Sequence, residues 1–518
     1  MASASILATT PAMKISIQDL MDQSGVQFGT SGARGLAVAM TDRVCYAYTL
    51  GFLQHLQAIG DLSRTGTEVA VAGDFRPSTD RVMVAVCRAI ADAGYTPLNC
   101  GKIPSPAVAL CGLVKGIPAL MVTGSHIPDD RNGIKFNKVA GEILKDDEAG
   151  IRRQVVELDD SRFDADGQFA QAAPPCLVCP EAGAAYVRRY LDFLPANILA
   201  GCRVGVYQHS AVARDVLVEI FRGLGAEVTP LGRSDKFIPV DTEAIRPEDV
   251  ELARRWTAEQ RFDALVSADG DSDRPLISDE HGIWLRGDVA GILCARFLDA
   301  DSVSTPVSCN TAVEQCGWFA EVRRTRIGSP FVVASMMEAA ARGAKCVVGY
   351  EANGGFLLHS DVCREGRTLR ALPTRDAVIV LLGVLLLARR EGRSVAQLAA
   401  SLPARFTASD RLKNFPVEQS QAILRRFTTS SEAGDRTALE AVFGAPFGRV
   451  VRLDRTDGVR VTFDNGEIIH LRPSGNAPEF RCYTEAGSQS RANEINAVCM
   501  GILSQQATTA GPLSPPKN

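Results

Sequence analysis

EVAVAGDFRPSTDRVMVAVCRAIADAGYTPLNCG, residues 68–101, reads as a buried strand, a polar loop, an amphipathic helix, a glycine turn and a second strand. The same order returns in CRVGVYQHSAVARDVLVEIFRGLGAEVTPLG, residues 202–232, and more loosely in the stretch that ends AARGAKCVVGYEANGG at residue 355. In each, a helical pattern gives way at a glycine: Gly94, Gly225 or Gly343. A chain leaving a helix through the left-handed region favours a residue without Cβ. Three such units predict three related α/β domains.

The remainder fits around them. A chain of 518 residues has room for three or four domains at roughly 100–200 residues each. GRVVRLDRTDGVRVTFDNGEIIHLR, residues 448–472, gives short strands, and a helical pattern near Arg491–Leu503 closes an α+β unit. The expected division is a loose extension over 1–22, domains over 23–175, 176–282, 283–402 and 403–506, and a tail over 507–518. Linkers are placed at the Pro-rich 167–181, near His281–Gly282 and near Ser401–Pro403.

Composition narrows the functions. Hydrophobic residues at 46% and charged ones at 22% exclude disorder as the main state. A net charge of −4 exerts no global pull on nucleic acid or acidic lipid, so neither is expected as a partner. The start, MASASILATTPAMK, shows no signal-peptide pattern. The longest apolar run, Ala377–Ala388, is too short to span a bilayer and is expected to be a buried helix. The single CxxC, Cys176–Cys179, has no second pair to complete a zinc site. Fourteen scattered cysteines suit a cytoplasmic protein with reduced thiols.

Four loops could carry chemistry, and each taken alone could also be an ordinary turn. In PALMVTGSHIPDDRNGIKF an apolar run, Ala119–Val122, delivers Ser125 and His126 to a polar turn, with Lys135 ten residues beyond Ser125. A serine at a strand-to-loop junction can be a nucleophile. The glycines of a hydrolase elbow are missing, since Thr123 and Ile127 stand in their places. In FDALVSADGDSDRPL, Asp269, Asp271 and Asp273 alternate after an apolar strand. Three close carboxylates repel unless a cation sits among them, and oxygen donors suit Mg²⁺ or Ca²⁺. Asp269, Asp271, Asp273 and Glu280 fall on EF-hand spacing, but Arg274 occupies the position where that loop needs glycine. In AKCVVGYEANGGFLL, Glu351 and Asn353 can grip adjacent sugar hydroxyls. In GEIIHLRPSGNAPEFRCYTEA, Arg472, Ser474, Gly475, Asn476 and Arg481 suit an anion nest with bidentate arginine grips. FGTSGARG, residues 28–35, adds Arg34 but is neither a P-loop nor a dinucleotide fingerprint.

A nucleophile, a cation site, a hydroxyl grip and a phosphate grip together suit phosphoryl transfer on a phosphosugar. FGTSGARG, TGSHIPDDRNGIKF, DGDSDR, GYEANGG and RPSGNAPEFRCYTEA, in this order, resemble the α-D-phosphohexomutase superfamily over residues 25–505, most of all its bacterial phosphomannomutases. The resemblance implies four domains around a central cleft, three similar α/β domains with mixed sheets plus an α+β C-terminal domain. It implies a phosphoserine at Ser125 that shares one Mg²⁺ with Asp269, Asp271 and Asp273. Arg34, His126, Lys135 and Arg274 would line the reaction centre, with Lys135 as the candidate for a proton transfer. Glu351 and Asn353 would hold sugar hydroxyls, and Arg472, Ser474, Gly475, Asn476 and Arg481 the distal phosphate. The implied reaction exchanges mannose 6-phosphate and mannose 1-phosphate through a sugar bisphosphate, which also serves as activator, in a monomer or homodimer. The alternatives are a phosphoglucomutase or dual-specificity enzyme, a phosphoglucosamine mutase, and an inactive phosphosugar-binding protein. Departures from the superfamily's usual wording fall at Ile127, Ser272, Asn353, Gly355, Asn476 and Ala477.

Overall fold

The computed structural model describes residues 13–29, 32–62, 65–172, 176–474 and 478–509. The chain divides into two compact units, one running to Asp299 and resuming over Lys345–Ala396, the other comprising Ala300–Ala344 and the chain from Gln397 onward.

In the first unit, a seven-stranded mixed sheet places Glu68–Gly73 between its parallel neighbours Thr96–Gly101 and Ala119–Val122. Ala119–Val122 then pairs antiparallel with Arg131–Lys138, which pairs antiparallel with Gly32–Leu36. The helix Thr79–Asp92 packs Val82, Val86, Ala89 and Ile90 into the core. Gly94 follows it at φ 84°, and Gly225 at φ 91° has the same place after the helix Arg214–Gly223. In the second sheet, Arg203–His209 lies between Glu227–Arg233 and Ala264–Ala268, both parallel to it, and Ala268 turns back into the antiparallel strand Pro275–Ile277. The strand Val347–Tyr350 likewise folds back antiparallel onto Phe356–Leu358.

This repetition positions the site. Three times a fully buried strand ends, emits a short loop, and is followed by its own antiparallel partner. The loops are 123–130, 269–274 and 351–355, and the closing register pairs are Val122 with Ile134, Ala268 with Pro275, and Tyr350 with Phe356.

The apolar run forms the helix Ala377–Arg390, buried over Ala377–Ala388 and capped by Asp376, which accepts from Val378 N. Among the described residues, no helix is long and apolar enough to cross a membrane. The expected loose extension over 1–22 is corrected at its C-terminal end. Met13–Ser16 pairs antiparallel with Val155–Leu158, and Ile17–Ser24 is a helix whose Ile17, Leu20 and Met21 are buried. Ser16 caps that helix by accepting from Asp19 N at 3.0 Å. A polar-looking segment is thus held by three apolar anchors and a cap.

In the second unit, Ser302–Pro306 pairs parallel with Glu321–Thr325. A five-stranded antiparallel sheet has the order Phe406–Lys413, Glu479–Ala486, Ile468–Pro473, Val459–Phe463, Val450–Asp454, and the helix Gln489–Thr509 packs Ala492, Ile495, Cys499 and Leu503 into its core.

Candidate active site

Ser125 is fully buried and sits at φ 55°, a left-handed backbone that non-glycine residues adopt sparingly and that persists only where surroundings enforce it. The enforcement comes from the strand end at Asp74. Ser125 N donates to Thr123 Oγ1 at 2.7 Å, and the Thr123 hydroxyl donates to Asp74 Oδ2 at 2.7 Å. Asp74 also receives Arg76 Nε at 3.0 Å. The rest of the Arg76 guanidinium donates to the carbonyls of Ser125 (2.7 Å), Ile127 (2.5 Å), Pro128 (2.6 Å) and Arg131 (3.0 Å). One buried cation therefore satisfies four backbone acceptors of the loop, and the Phe237 ring covers it at 4.1 Å. Gly124 is required: a Cβ there would lie 2.6 Å from Arg76 Cζ.

The Ser125 hydroxyl donates to Asp269 Oδ2 at 2.6 Å. Asp269, Asp271 and Asp273 are all buried, and one carboxylate oxygen from each lies within 4.8 Å of the others. Burial, then the charges of Asp271 and Asp273, push the Asp269 carboxyl up to about 8. Burial also opposes ionisation of Asp271, but the Lys135 ammonium and the Ser105 hydroxyl outweigh it and hold that carboxyl far below its ordinary range. Lys135 Nζ donates to Asp271 Oδ2 (2.5 Å) and to Asp273 Oδ2, and Ser105 donates to Asp271 Oδ2 at 2.6 Å. Asp271 Oδ1 and Asp273 Oδ1 are buried without a hydrogen-bond donor. Buried carboxylate oxygens with no donor, in an all-oxygen set of three acids, fit a hard divalent cation.

Around this cluster lie the other cations. Arg274 Nη1 donates to His126 Nδ1 at 2.8 Å, so that nitrogen is an acceptor and the proton resides on Nε2, 4.0 Å from Asp241 Oδ2. Burial, then Arg274 and Arg34, hold the His126 imidazole well below its ordinary value, so it is neutral. Its Nδ1 is also 3.4 Å from Ser125 Oγ, but the lone pair is already taken by Arg274. Arg34 pairs in register with Gly133, and burial, then neighbouring Arg274, draw it down to about 10, still protonated at neutral pH. Gly32 permits this strand pairing, since a Cβ there would meet Ile134 O at 2.0 Å.

Glu351 is buried; burial raises its carboxyl, with Arg375 and Arg274 opposing. Arg375 is buried as well, with Nε 3.2 Å from Asp273 Oδ2 and Nη1 3.5 Å from Glu351 Oε1. The Asn353 side-chain oxygen accepts from Gly355 N at 2.9 Å and its carbonyl from the Thr242 hydroxyl at 2.7 Å, so this residue shapes its own loop.

The first unit thus brings together Ser125, His126, Lys135, Arg34, Arg274, the three aspartates, Glu351 and Asn353. The fourth loop belongs to the second unit. There Arg472 and Arg481 are register partners on adjacent strands, with Arg472 Nε 3.4 Å from Asp457 Oδ1 and Arg481 Nη2 donating to Glu479 at 3.0 Å. Ser474 N donates to Glu479 O at 2.8 Å. Gly475 and Asn476 lie outside the described residues.

Sequence reading missed Arg76, Asp74, Ser105 and Arg375. Asp74 and Arg76 stand at the end of an apolar strand in GDFRPS, where a charged pair reads as a surface turn. Arg375 immediately precedes the cap of an apolar helix, which was the available signal.

Family models match three stretches of the chain. Residues 25–162 match the model for phosphoglucomutase/phosphomannomutase, alpha/beta/alpha domain I; residues 286–406 match domain III, and residues 412–500 the C-terminal domain. The chain is 43% identical to a phosphomannomutase of Salmonella muenchen, over 94% of this chain and 98% of that protein. It is 42% identical to one of Sinorhizobium fredii, over 92% and 99%. A phosphoglucosamine mutase of Saccharopolyspora erythraea is 28% identical over 90% of this chain and 96% of that protein. In fold, the crystal structure of a phosphoglucomutase/phosphomannomutase family protein from Burkholderia thailandensis superposes with a TM-score of 0.69 at 18% identity, covering 97% of this chain and 99% of that one. With the serine loop, the aspartate loop and the Glu351 loop each closing a buried strand in the same way, and with full-length relatives above 40% identity, this chain belongs to the phosphoglucomutase/phosphomannomutase family.

Proposed function

We propose that this chain is a phosphomannomutase, interconverting mannose 6-phosphate and mannose 1-phosphate through a phosphoserine at Ser125 and a mannose bisphosphate intermediate. The observation that carries the reading is the buried Ser125 hydroxyl donating to Asp269 at 2.6 Å, in a cluster of three carboxylates where Asp271 Oδ1 and Asp273 Oδ1 lack donors. Identity to two phosphomannomutases above 40%, against 26–28% to four phosphoglucosamine mutases or probable ones, supports mannose as the sugar.

In the first transfer the bond from phosphorus to Ser125 Oγ breaks, one forms to the oxygen of the free sugar hydroxyl, and that hydroxyl gives up its proton within the site. After the bisphosphate turns end for end, the other sugar O–P bond breaks as Ser125 Oγ takes that phosphoryl group, and the freed sugar oxygen takes up a proton. Asp269, Asp271 and Asp273, with the Ser125 phosphate, would hold one Mg²⁺, which when bound neutralises phosphoryl charge. Lys135, Arg34 and Arg274 supply fixed positive charge around the same group. His126 orients Arg274, since its acceptor nitrogen is already engaged. Glu351 and Asn353 are assigned to sugar hydroxyls, and Arg472, Ser474, Gly475, Asn476 and Arg481 to the phosphate that does not react. The bisphosphate is also the activator that charges Ser125. The four-domain division at 175, 282 and 402, a monomer or homodimer, and a cytoplasmic setting that suits fourteen scattered cysteines complete the reading.

A coupled assay across mannose, glucose and glucosamine phosphates, with Mg²⁺ and bisphosphate present, tests it. Highest kcat/KM on mannose phosphate is expected; turnover of the glucosamine substrate alone overturns the assignment.

A further inference from the structure

We propose that Arg375 is a positioning residue for substrate binding: anchored on Asp273, it holds the Glu351 carboxylate in place, and its aliphatic stem fills the space left by the absent side chain of Gly355. The proposal rests on the phosphohexomutase reading above, in which Glu351 grips sugar hydroxyls.

Three sets of contacts fix this arginine. Its guanidinium ion-pairs with Asp273 at 3.2 Å and with Glu351 at 3.5 Å, both buried, so it spans the aspartate loop and the Glu351 loop. Its stem lies against Gly355, where a Cβ would stand 2.5 Å from Arg375 Cδ and 2.8 Å from Cγ. Its chain neighbours are each pinned. The Thr374 hydroxyl donates to Glu142 Oε1 at 2.6 Å. Asp376 accepts from Tyr186 at 2.6 Å and from Tyr190, and its N–H donates to Phe356 O at 2.9 Å, the residue after Gly355.

A long cationic side chain normally loses considerable rotamer freedom when it is held in one geometry. Here the residues on both sides are held, and the stem lies in space that glycine at 355 leaves open. Glu351 Oε1 has no hydrogen-bond donor, so its orientation depends on the ionic contact with Arg375 and on its own loop. Such support of a binding carboxylate by a rigid neighbour is what keeps a site preorganised. Gly355 and Arg375 are accordingly one device: a glycine where the loop must yield space, and an arginine that occupies it.

The test is a set of steady-state measurements on the full chain with hexose monophosphate, Mg²⁺ and bisphosphate. Arg375→Ala is expected to raise KM about tenfold or more while kcat changes less, and Arg375→Lys, which keeps the stem and one charge, to fall between it and wild type. In a Glu351→Gln background, Arg375→Ala should add little to KM, because that part of its effect passes through the carboxylate, while loss of its contact with Asp273 is read separately in kcat. Gly355→Ala should raise KM in the wild-type background and have little effect beside Arg375→Ala. If Arg375→Ala does not fold, Arg375→Lys and Gly355→Ala carry the test through the same KM-against-kcat comparison. Wild-type KM in Arg375→Lys together with Gly355→Ala, or losses that simply multiply with Glu351→Gln, overturn the proposal. A wild-type protein that neither turns over nor binds any hexose phosphate by calorimetry overturns the functional reading and this proposal with it. An active wild type with unchanged KM in the arginine variants overturns this proposal alone.

Discussion

Ser125 and Asp269 are 144 residues apart in the chain and 2.6 Å apart in space, hydroxyl to carboxylate. In the proposed mechanism no neighbour can replace this hydroxyl as nucleophile, because His126 already accepts from Arg274 and Lys135 already bridges two acids. Ser125→Ala should therefore lower kcat/KM by about 10³-fold or more. Intact-mass analysis after incubation with the sugar bisphosphate should show one added phosphate in the wild type and none in the variant; activity retained in the alanine protein would remove Ser125 from the mechanism.

The oxygens Asp271 Oδ1 and Asp273 Oδ1, buried without donors, make metal dependence the second expectation. Chelation should abolish turnover and Mg²⁺ should restore it. Asp271→Ala removes one of the three acids, and Mg²⁺ affinity measured by calorimetry should fall about tenfold or more. An unchanged binding isotherm would disprove the assigned cation site.

Arg76 provides a test of the loop itself. Lysine cannot reach the four carbonyls and Asp74 at once, so Arg76→Lys should let Ser125 drift from its place, and misplacement on the order of 1 Å costs roughly 10²-fold in kcat. KM should move much less. Arg76→Ala additionally leaves Asp74 buried without its cation, and about 3–5 kcal/mol of stability should be lost in denaturant titrations.

Asp147 offers a pH test away from the reaction centre. It accepts from Leu144 N at 2.8 Å, pairs with Lys138 at 2.8 Å, and lies 3.1 Å from His55 Nε2. Burial works against its charge, but these partners outweigh it and hold the carboxyl below 3.8. A depressed carboxyl binds fewer protons folded than unfolded, so its contribution is complete above the unfolded value and is lost as pH falls through the folded one. Asp147→Asn should cost about 1–3 kcal/mol near neutral pH, with the gap to wild type narrowing below about pH 4. A gap that stays constant on acidification would show that Asp147 contributes through packing rather than charge.

Much of the site was legible because each functional group lies within a short motif: the aspartates alternate within five residues, and the serine and Lys135 share one strand–loop–strand segment. The supporting residues were not. Arg76 finds its four carbonyl acceptors 49 to 55 positions away, and burial of an arginine runs against what its chemistry suggests from sequence. Arg375 is joined to Glu351 and Asp273 only by the fold. At the amino-terminal end, the pattern Ser16-x-x-Asp19 was a readable cap signal, but the preceding small polar residues obscured it. The glycines were the most dependable markers: Gly94, Gly225 and Gly343 all adopt positive φ, as a helix exit requires.

The three hairpin-like returns, Val122 to Arg131, Ala268 to Pro275 and Tyr350 to Phe356, separate what builds the sheet from what does the chemistry. The flanking strands are registered by ladder bonds, independently of the residues between them. The register of each strand pair therefore does not depend on the residues its connector displays, and the same return carries Ser125 in one place, three aspartates in another and Glu351 in a third.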